Sequence, residues 1–382
     1  MTSFGGPVAH LGYFRSEFVE RRKWLDEIAY GDIVALCQFL PGPASSQVGI
    51  ALGMLRAGLA GGFAAWLGFT MPSAFVLIAF SYCVESLGDL SHVAWLHGLK
   101  IVAVAVVAQA VWGMAKNLCP DRERATIAVA ATLLILAVPS ATGQIAAIVI
   151  GGVIGWLLLE GAKVSGATPL SPPVRQNTAV ASLILFLALF LALPVLAEST
   201  RNHFLLLISG FYRSGSLVFG GGHVVLPLLQ QTVVPMGWID NDTFLAGYGA
   251  AQAVPGPLFT FAAYLGSAMR EAPNGMLGGL ICLVSIYLPS FLLLLTVLPF
   301  WDVIRLRPAV RSILKGINAS VVGILLAALY NPVWTSAIFG PADFGLGIVA
   351  FLLLTLWETP PWFVVCLGAI GGMAIAALPS FM

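Results

Sequence analysis

One stretch decides the fold: Gln38-Phe-Leu-Pro-Gly-Pro-Ala-Ser-Ser-Gln47, which places a Pro-Gly-Pro break inside an apolar segment. The pattern returns 214 residues later as Gln252-Ala-Val-Pro-Gly-Pro-Leu-Phe-Thr260. A helix cannot continue through either break, because the prolines donate no hydrogen bond and their rings crowd the preceding turn. Such a break is costly in lipid unless protein or water satisfies the freed backbone groups. Matching breaks in two halves of one chain indicate a binding site between the halves.

Three further landmarks recur in the same order and at nearly the same spacing. They are Trp24-Leu-Asp26 with Trp238-Ile-Asp240 at 214 residues, Phe4-Gly-Gly6 with Phe219-Gly-Gly221 at 215, and Met71-Pro-Ser73 with Leu288-Pro-Ser290 at 217. This order predicts an internal duplication. We expect a first repeat at 1–160, a cytoplasmic linker rich in Gly, Ser, Thr and Pro at 161–178, and a second repeat at 179–382.

The composition is that of a chain whose solvent is mostly lipid. Of 382 residues, 59% are hydrophobic and 9% are charged, against about 25% charged residues in soluble domains. A net charge of +1 without a long run of Lys or Arg argues against a nucleic-acid partner. The five cysteines are scattered, and no Walker A, GxSxG or HExxH motif is present. We therefore expect no metal, no cofactor and no enzyme activity.

Apolar segments near the roughly 20-residue length of a spanning helix predict an all-α, polytopic membrane protein of about 12 helical segments. These segments cover 29–55, 62–85, 93–115, 125–138, 143–160, 179–197, 203–219, 243–269, 275–299, 316–331, 343–357 and 361–379. The shorter stretches 7–20 and 223–235 are typical of re-entrant helices. An apolar helix precedes the second Phe-Gly-Gly, whereas nothing precedes the first. Either the first repeat lacks its leading helix or translation starts upstream of Met1, and we favour the second.

The charges of the connections predict that the repeats are inverted, since cytoplasmic loops collect Lys and Arg. The stretch after the first Phe-Gly-Gly carries four bases, whereas its counterpart at 235–242 carries none. The loop Ser86–Ser91 also carries none, whereas its counterpart carries Arg305, Arg307 and Arg311. On the same scheme the inner side also holds Lys116, Arg122, Arg124, Lys163 and Arg175. Inverted repeats meet at a pseudo-two-fold axis and hold substrate near the membrane midplane.

Backbone groups around the breaks are the first candidates for binding an anion. Glycine lets the chain turn sharply and approach a ligand, and the helix starts that follow carry a partial positive charge. Close packing of small residues between helices is the alternative. Flanking hydroxyls and amides either donate to oxyanion oxygens or cap helix starts. The candidate substrate-binding set is Gly5, Gly6, Pro7, His10, Gln38, Pro41, Gly42, Pro43, Ser45, Ser46, Arg213, Gly220, Gly221, Gly222, His223, Gln252, Pro255, Gly256, Pro257 and Thr260.

Ionisable groups within apolar segments are functional candidates, because lipid makes them costly. Arg213 stands six residues before the second Phe-Gly-Gly, where its charge could balance a dianion. Arg56 and Arg270 follow equivalent helices and are expected to reach towards the surface. His97 and Lys100 face either a central cavity or a helix interface, and the sequence leaves both open.

Several motifs together carry a family resemblance. They are Phe4-Gly-Gly-Pro-Val-Ala-His-Leu-Gly-Tyr-Phe14, Trp24-Leu-Asp-Glu27, Gln38-Phe-Leu-Pro-Gly-Pro43, Phe219-Gly-Gly-Gly222 through Leu226-Pro227, and Pro255-Gly-Pro257. The chain resembles the chromate ion transporter family in its long, two-domain form, over nearly its whole length. The resemblance implies oppositely oriented halves, export of chromate driven by an ion gradient, and binding roles for His10 and for the glycines and prolines of these motifs. A helix before Phe4 is usual in that family and is missing from this sequence.

The expected function is a secondary active transporter that exports chromate across the bacterial inner membrane and holds the oxyanion between the duplicated motifs. Sulfate is also a tetrahedral dianion, so a carrier of sulfate or other oxyanions is an alternative of the same class. A non-transporting membrane sensor subunit and a membrane enzyme are alternatives from other classes. The expected partners are the anion and the lipid bilayer, and the sequence leaves open whether the chain forms a homo-oligomer.

Overall fold

A computed structural model of the protein describes residues 6–86, 93–160, 174–304 and 307–377, and every regular element in these ranges is a helix. In chain order the α-helices are α1 (Gly6–Arg15), α2 (Glu27–Phe39), α3 (Ala44–Ser86), α4 (Ala94–Leu118), α5 (Arg122–Ala137), α6 (Ala141–Leu158), α7 (Gln176–Thr200), α8 (His203–Ser216), α9 (Val225–Val233), α10 (Asn241–Ala253), α11 (Phe261–Ser267), α12 (Gly275–Val297), α13 (Trp301–Ile304), α14 (Pro308–Ala328), α15 (Pro341–Thr355) and α16 (Pro361–Ala377). Some sequence expectations fall outside the described residues, namely those on Phe4, Gly5, the loop residues 87–91, the linker residues 161–173 with Lys163, and Arg305.

Six described helices are long and apolar enough to cross a membrane: α3, α4, α6, α7, α12 and α14. Helix α7 leaves large aliphatic side chains exposed along its length, among them Ile184, Leu191 and Val195, each more than 60% exposed. An apolar surface of this kind is suited to lipid rather than water. The predicted all-α, multi-pass membrane fold is therefore confirmed.

The helices that lead into the two breaks are built alike. Helices α2 and α10 have 13 residues each. Both begin after an aspartate: Asp26 accepts a hydrogen bond from the Ala29 N–H at 2.8 Å, and Asp240 accepts one from the Thr243 N–H at 2.8 Å. A carboxylate at this position satisfies a free N–H group and stabilises the positive helix start. Each break therefore lies about 20 Å along the helix from its capped end.

Behind each break the chain turns back on itself. Helix α3 reverses direction at Gly58, whose φ is +62°. Gly53 and Gly61 oppose each other across this turn, so closely that a Cβ on either would clash with the other's carbonyl oxygen. These residues would be about 12 Å apart in one straight helix, so the two arms of α3 are antiparallel. In the second half, a Cβ on Gly266 of α11 would clash in the same way with the carbonyl oxygen of Gly278 in α12.

Each re-entrant unit begins and ends at the same end of the helix bundle. The Arg56 guanidinium, in the first arm of α3, lies 5.4 Å from the ring centre of Trp24, which precedes α2. In the second unit, Arg270 follows α11 and its Nη2 lies 3.3 Å from Oδ2 of Asp240 at the start of α10. Both arginines thus lie at an end of the bundle, as expected.

The two units open at opposite ends. The long arm of α3 carries the chain away from Trp24, and α4 starts beyond it. Near that start, Lys100 donates a 3.0 Å hydrogen bond to Asp242 in the first turn of α10. The start of α10 therefore lies at the far end of the bundle from the start of α2. Around this core, α5 and α6 pack on α14, while α15 and α16 pack on α4.

Candidate functional site

Each break depends on one glycine in a conformation that other residues rarely adopt. The φ of Gly42 is +129° and that of Gly256 is +137°. The prolines on either side, Pro41 and Pro43 in the first break and Pro255 and Pro257 in the second, end one helix and begin the next stretch. A positive φ is accessible to glycine without a steric penalty, so neither glycine is replaceable by a larger residue without strain.

Several of the freed backbone groups find partners within the protein. The Gly42 N–H donates to the Val218 carbonyl at 2.7 Å, which joins the first break to the residue just before Phe219-Gly-Gly. The Gln47 amide donates to the Pro41 carbonyl at 2.7 Å. In the second break, the Thr260 hydroxyl donates to the Pro257 carbonyl at 2.8 Å. These contacts reduce the cost of interrupting a helix inside a membrane.

The two breaks exchange contacts with the opposite halves of the chain. A Cβ on Gly42 would lie 2.5 Å from Oγ of Ser290, which belongs to α12. A Cβ on Gly256 would lie 2.5 Å from Oγ of Ser73, which belongs to the long arm of α3. Both serines follow a proline within their helix. A hydroxyl of the opposite half therefore helps to close the space at each glycine. In the first break Nε2 of Gln47, from the same half, also lies within clashing distance of the Cβ position of Gly42.

Hydroxyl groups also cluster around the first break. The Ser46 and Tyr287 hydroxyls are 3.3 Å apart. The Ser290 hydroxyl and Oε1 of the Gln47 side chain are buried, and neither has a hydrogen-bond partner among the described residues. An unpaired buried hydroxyl is costly, and it is available to a ligand that accepts hydrogen bonds. Sequence reasoning did not include Ser73, Tyr287 or Ser290 in the site, although the recurring Pro-Ser pair marked the two serines.

The glycines after Phe219 form an open turn beside the second break. Gly220 has φ +77° and Gly221 has φ +146°. A Cβ on Gly221 would meet no atom within 4 Å, whereas a Cβ on Gly222 would lie 3.7 Å from Cβ of Leu258, which directly follows Pro257. The space at the Cβ position of Gly221 is therefore open. In the first half, Gly6 and Pro7 begin α1, and Gly5 lies outside the described residues.

Two predicted histidines contact residues of their own half. The buried His10 Nδ1 lies 3.4 Å from Oγ of Ser45, so α1 contacts the first break. His223 Nδ1 lies 3.0 Å from the Tyr248 hydroxyl in α10. His10 also lines a cavity of about 290 Å³ with Tyr13, Phe14, Ser16, Glu17, Phe18 and Phe69. The cavity reaches from the charged stretch after α1 to the side chain that contacts the first break.

The remaining predicted site residues differ in their environments. The Nε2 of Gln252 is buried without a hydrogen-bond partner in the described part of the chain, whereas Gln38 is exposed. Arg213 lines a separate cavity with residues of α6, α8 and α9, none of which belongs to a Pro-Gly-Pro or Phe-Gly-Gly motif. The structure thus groups both breaks, the second glycine turn and His10, and it leaves Arg213 outside this group.

His97 and Lys100 face helix interfaces, one of the two alternatives left open by the sequence. His97 Nε2 lies 2.9 Å from Oδ1 of Asp343, the acid in the first turn of α15. Lys100 pairs with Asp242 of α10, as described above. Helix α4 therefore makes polar side-chain contacts with two helices of the second half.

The chain is similar to several known transport proteins. A family model described as "Chromate transporter" matches residues 1–156 and 205–373. The chromate transport protein of Pseudomonas aeruginosa is 26% identical over 331 residues, covering 85% of this chain and 76% of that protein. The probable chromate transport protein of Synechococcus elongatus is 24% identical over 388 residues, covering 97% of this chain and 91% of that protein.

A shorter relative, the uncharacterized transporter YwrA of Bacillus subtilis, is 28% identical over 181 residues. The match covers 45% of this chain and 97% of that protein. No solved structure matches the chain.

Proposed function

This chain belongs to the chromate transporter family, and from this premise we propose that it is a secondary active transporter that exports chromate across the bacterial inner membrane. The oxyanion is held near the midplane, between the two Pro-Gly-Pro breaks and the glycine turns beside them. It is a carrier rather than an enzyme or a sensor subunit.

The observation that carries this proposal is the exchange of contacts between the halves. A two-fold axis generates contacts in reciprocal pairs, and the pairs Gly42–Ser290 and Gly256–Ser73 have this property with equal 2.5 Å distances. Carriers built from two repeats bind substrate at such an interface and move it by rocking one repeat against the other. The opposite openings of the two re-entrant units support an axis in the membrane plane.

We further propose that the repeats are the units 1–160 and 179–382, joined by a cytoplasmic linker at 161–178. The relative that aligns with 45% of this chain over 97% of its own length is about the size of one repeat. Bases gather at the end that this assignment places inside the cell. There, for example, Lys315 at the base-rich start of α14 donates a 2.8 Å hydrogen bond to the carbonyl of Glu160, just after α6.

In this mechanism the protein balances a dianion mainly with dipoles. The N–H groups at the start of α3 point into the first break and carry the positive end of the helix dipole. The Ser290 hydroxyl, which has no partner among the described residues, donates to the anion from the opposite repeat. The 290 Å³ cavity beside His10 forms the approach from the inner side. Because each repeat supplies part of the site, rocking them apart releases the anion.

Chromate flux into inside-out vesicles tests this function. We expect saturable uptake that depends on an imposed proton gradient and falls strongly when Gly256 is replaced by Val, because the new side chain meets Ser73. Exposed Gly68, whose Cβ position is open, gives the matched control Gly68→Val. Equal flux in wild type and Gly256→Val vesicles would contradict the proposed site. Added sulfate distinguishes a chromate carrier from a broader oxyanion carrier, since the latter loses chromate uptake in proportion to sulfate.

A further inference from the structure

Arg213 is a charged residue at membrane depth, and the part of the chain that the structure describes gives it no partner of opposite charge. It is the eleventh residue of α8, which places it about 15 Å from the start of that helix. The start itself lies at the end of the bundle, where His203 Nδ1 is 3.7 Å from Oε2 of Glu271. A hydrocarbon core is about 30 Å thick, so Arg213 lies near its middle. Among the described residues, no acceptor or carboxylate binds its guanidinium.

A cavity of about 50 Å³ lies beside Arg213, between α6, α8 and α9. This exceeds the roughly 10–15 Å³ that one water molecule needs. Gln144 and Thr232 contribute polar atoms to its wall. The Gln144 amide is buried and donates to the Pro227 carbonyl at 3.3 Å. The Thr232 hydroxyl donates to the Leu228 carbonyl at 2.8 Å and lies 3.1 Å from that of Ser214. Arg213 is the only charged residue among the described residues that line it.

A buried or half-buried arginine in lipid is normally paired or faces a water-filled path. Here the described lining supplies the positive charge and the amide of an anion site but no anionic side chain. Its donors, an arginine fork and an amide, match the oxygens of a tetrahedral anion.

We propose that this cavity is a second anion site, a waypoint that holds a small inorganic oxyanion on its way between the breaks and the outer face. Its ligand class rests on the proposed function, whereas its existence as an anion site does not. Helix α6 of the first repeat and helices α8 and α9 of the second form it together, so rocking of the repeats changes its width. The waypoint raises the local concentration of a dianion that lipid would otherwise exclude.

Labelling of one cysteine tests the site without transport. The native cysteines are replaced, Ile145 in the cavity wall is changed to Cys, and the full-length protein is purified. We expect inorganic sulfate to slow thiol labelling at position 145, and Arg213→Gln to abolish this protection or to weaken it about 10- to 100-fold. Arg213→Lys should retain part of the protection, because it keeps the charge but loses the fork. Exposed Arg201 provides the control Arg201→Gln, which should leave protection unchanged.

Protection that survives Arg213→Gln, or no protection in the parent protein at any sulfate concentration, would overturn the waypoint. A chromate flux assay on the same variants separates the two proposals. Flux in wild type with an unchanged KM in Arg213→Gln refutes the waypoint alone. Sulfate protection that depends on Arg213, without any chromate flux in wild type, refutes the transport function and leaves the anion site standing.

Discussion

Gly42 and Ser290 share one small space between the two halves of the chain: a Cβ on Gly42 would lie 2.5 Å from the Ser290 hydroxyl oxygen. The same relationship joins Gly256 to Ser73. Glycine is therefore needed at each position for two reasons: the backbone has a positive φ, and a hydroxyl from the other half lies where a side chain would begin. A pair of this kind couples the conformation of one break to the position of the opposite long helix.

The first prediction concerns this coupling. Gly42→Ala should lower the unfolding free energy by about 1–3 kcal/mol, from overpacking and the positive φ. Ser290→Ala in the same protein should recover part of the loss, because it removes one of the two clashing atoms and leaves Nε2 of Gln47; the expected coupling energy is about 0.5–3 kcal/mol. The measurement is a double-mutant cycle in mixed micelles. The matched control combines Gly42→Ala with Ser73→Ala, and the two changes in unfolding free energy should add within about 0.5 kcal/mol. Equal coupling energies in both cycles would contradict a specific contact between Gly42 and Ser290.

The second prediction concerns the glycine-packed turns behind the breaks. Gly266→Ala should destabilise the protein by about 1–3 kcal/mol, because the new methyl group meets the backbone of Gly278 and neither helix moves independently. Gly68 lies in a helix with open space at its Cβ position, so Gly68→Ala should be neutral or stabilising by about 0.4–1 kcal/mol. Thermal unfolding of the two variants side by side makes this comparison. A Gly266→Ala protein as stable as Gly68→Ala would show that α11 and α12 are not in close contact.

The third prediction concerns the ion pair between α4 and α10. The Lys100 side chain is 8% exposed and that of Asp242 is 40% exposed. Asp242→Asn should therefore cost more than Lys100→Met, by about 1–3 kcal/mol, because it leaves a buried ammonium without a carboxylate. In Lys100→Met, the Asp242 carboxylate loses its partner but stays hydrated, because it is 40% exposed. Unfolding free energies of both variants and of the double variant test the order; a larger loss in Lys100→Met would contradict it.

The fourth prediction concerns the orientation of the repeats. Single cysteines in place of Arg22 and Asp240, in a background without native cysteines, should react with a membrane-impermeant thiol reagent from opposite sides. The base-rich stretch around Arg22 should react in inside-out vesicles, and position 240 in intact spheroplasts. A second pair of single cysteines, in place of Arg56 and Arg270, provides an internal check. Position 56 lies beside Trp24 and position 270 beside Asp240, so each should be labelled from the same side as that neighbour. Labelling of positions 22 and 240 from the same side of the membrane would contradict the inverted orientation of the two repeats.

The sequence by itself determined the helices and the places where they stop. A Pro-Gly-Pro run ends a helix through its own geometry, and an aspartate caps the start of the same helix through a hydrogen bond to a residue three positions away. These effects are local, and for that reason the 13-residue helices α2 and α10 could be expected as a matched pair. The duplication was also readable, because equal spacing of motifs needs no knowledge of packing.

Only the tertiary structure decided which side chains face the breaks. Ser290 reaches Gly42 because α12 crosses the first break, and no local rule links residues so far apart in the chain. Arg213 looked equivalent to the other candidates in sequence, yet the direction of its helix face puts it in a different cavity. Helix packing fixes such contacts through the shapes of whole surfaces, and a single sequence shows the helices but not the faces on which they meet.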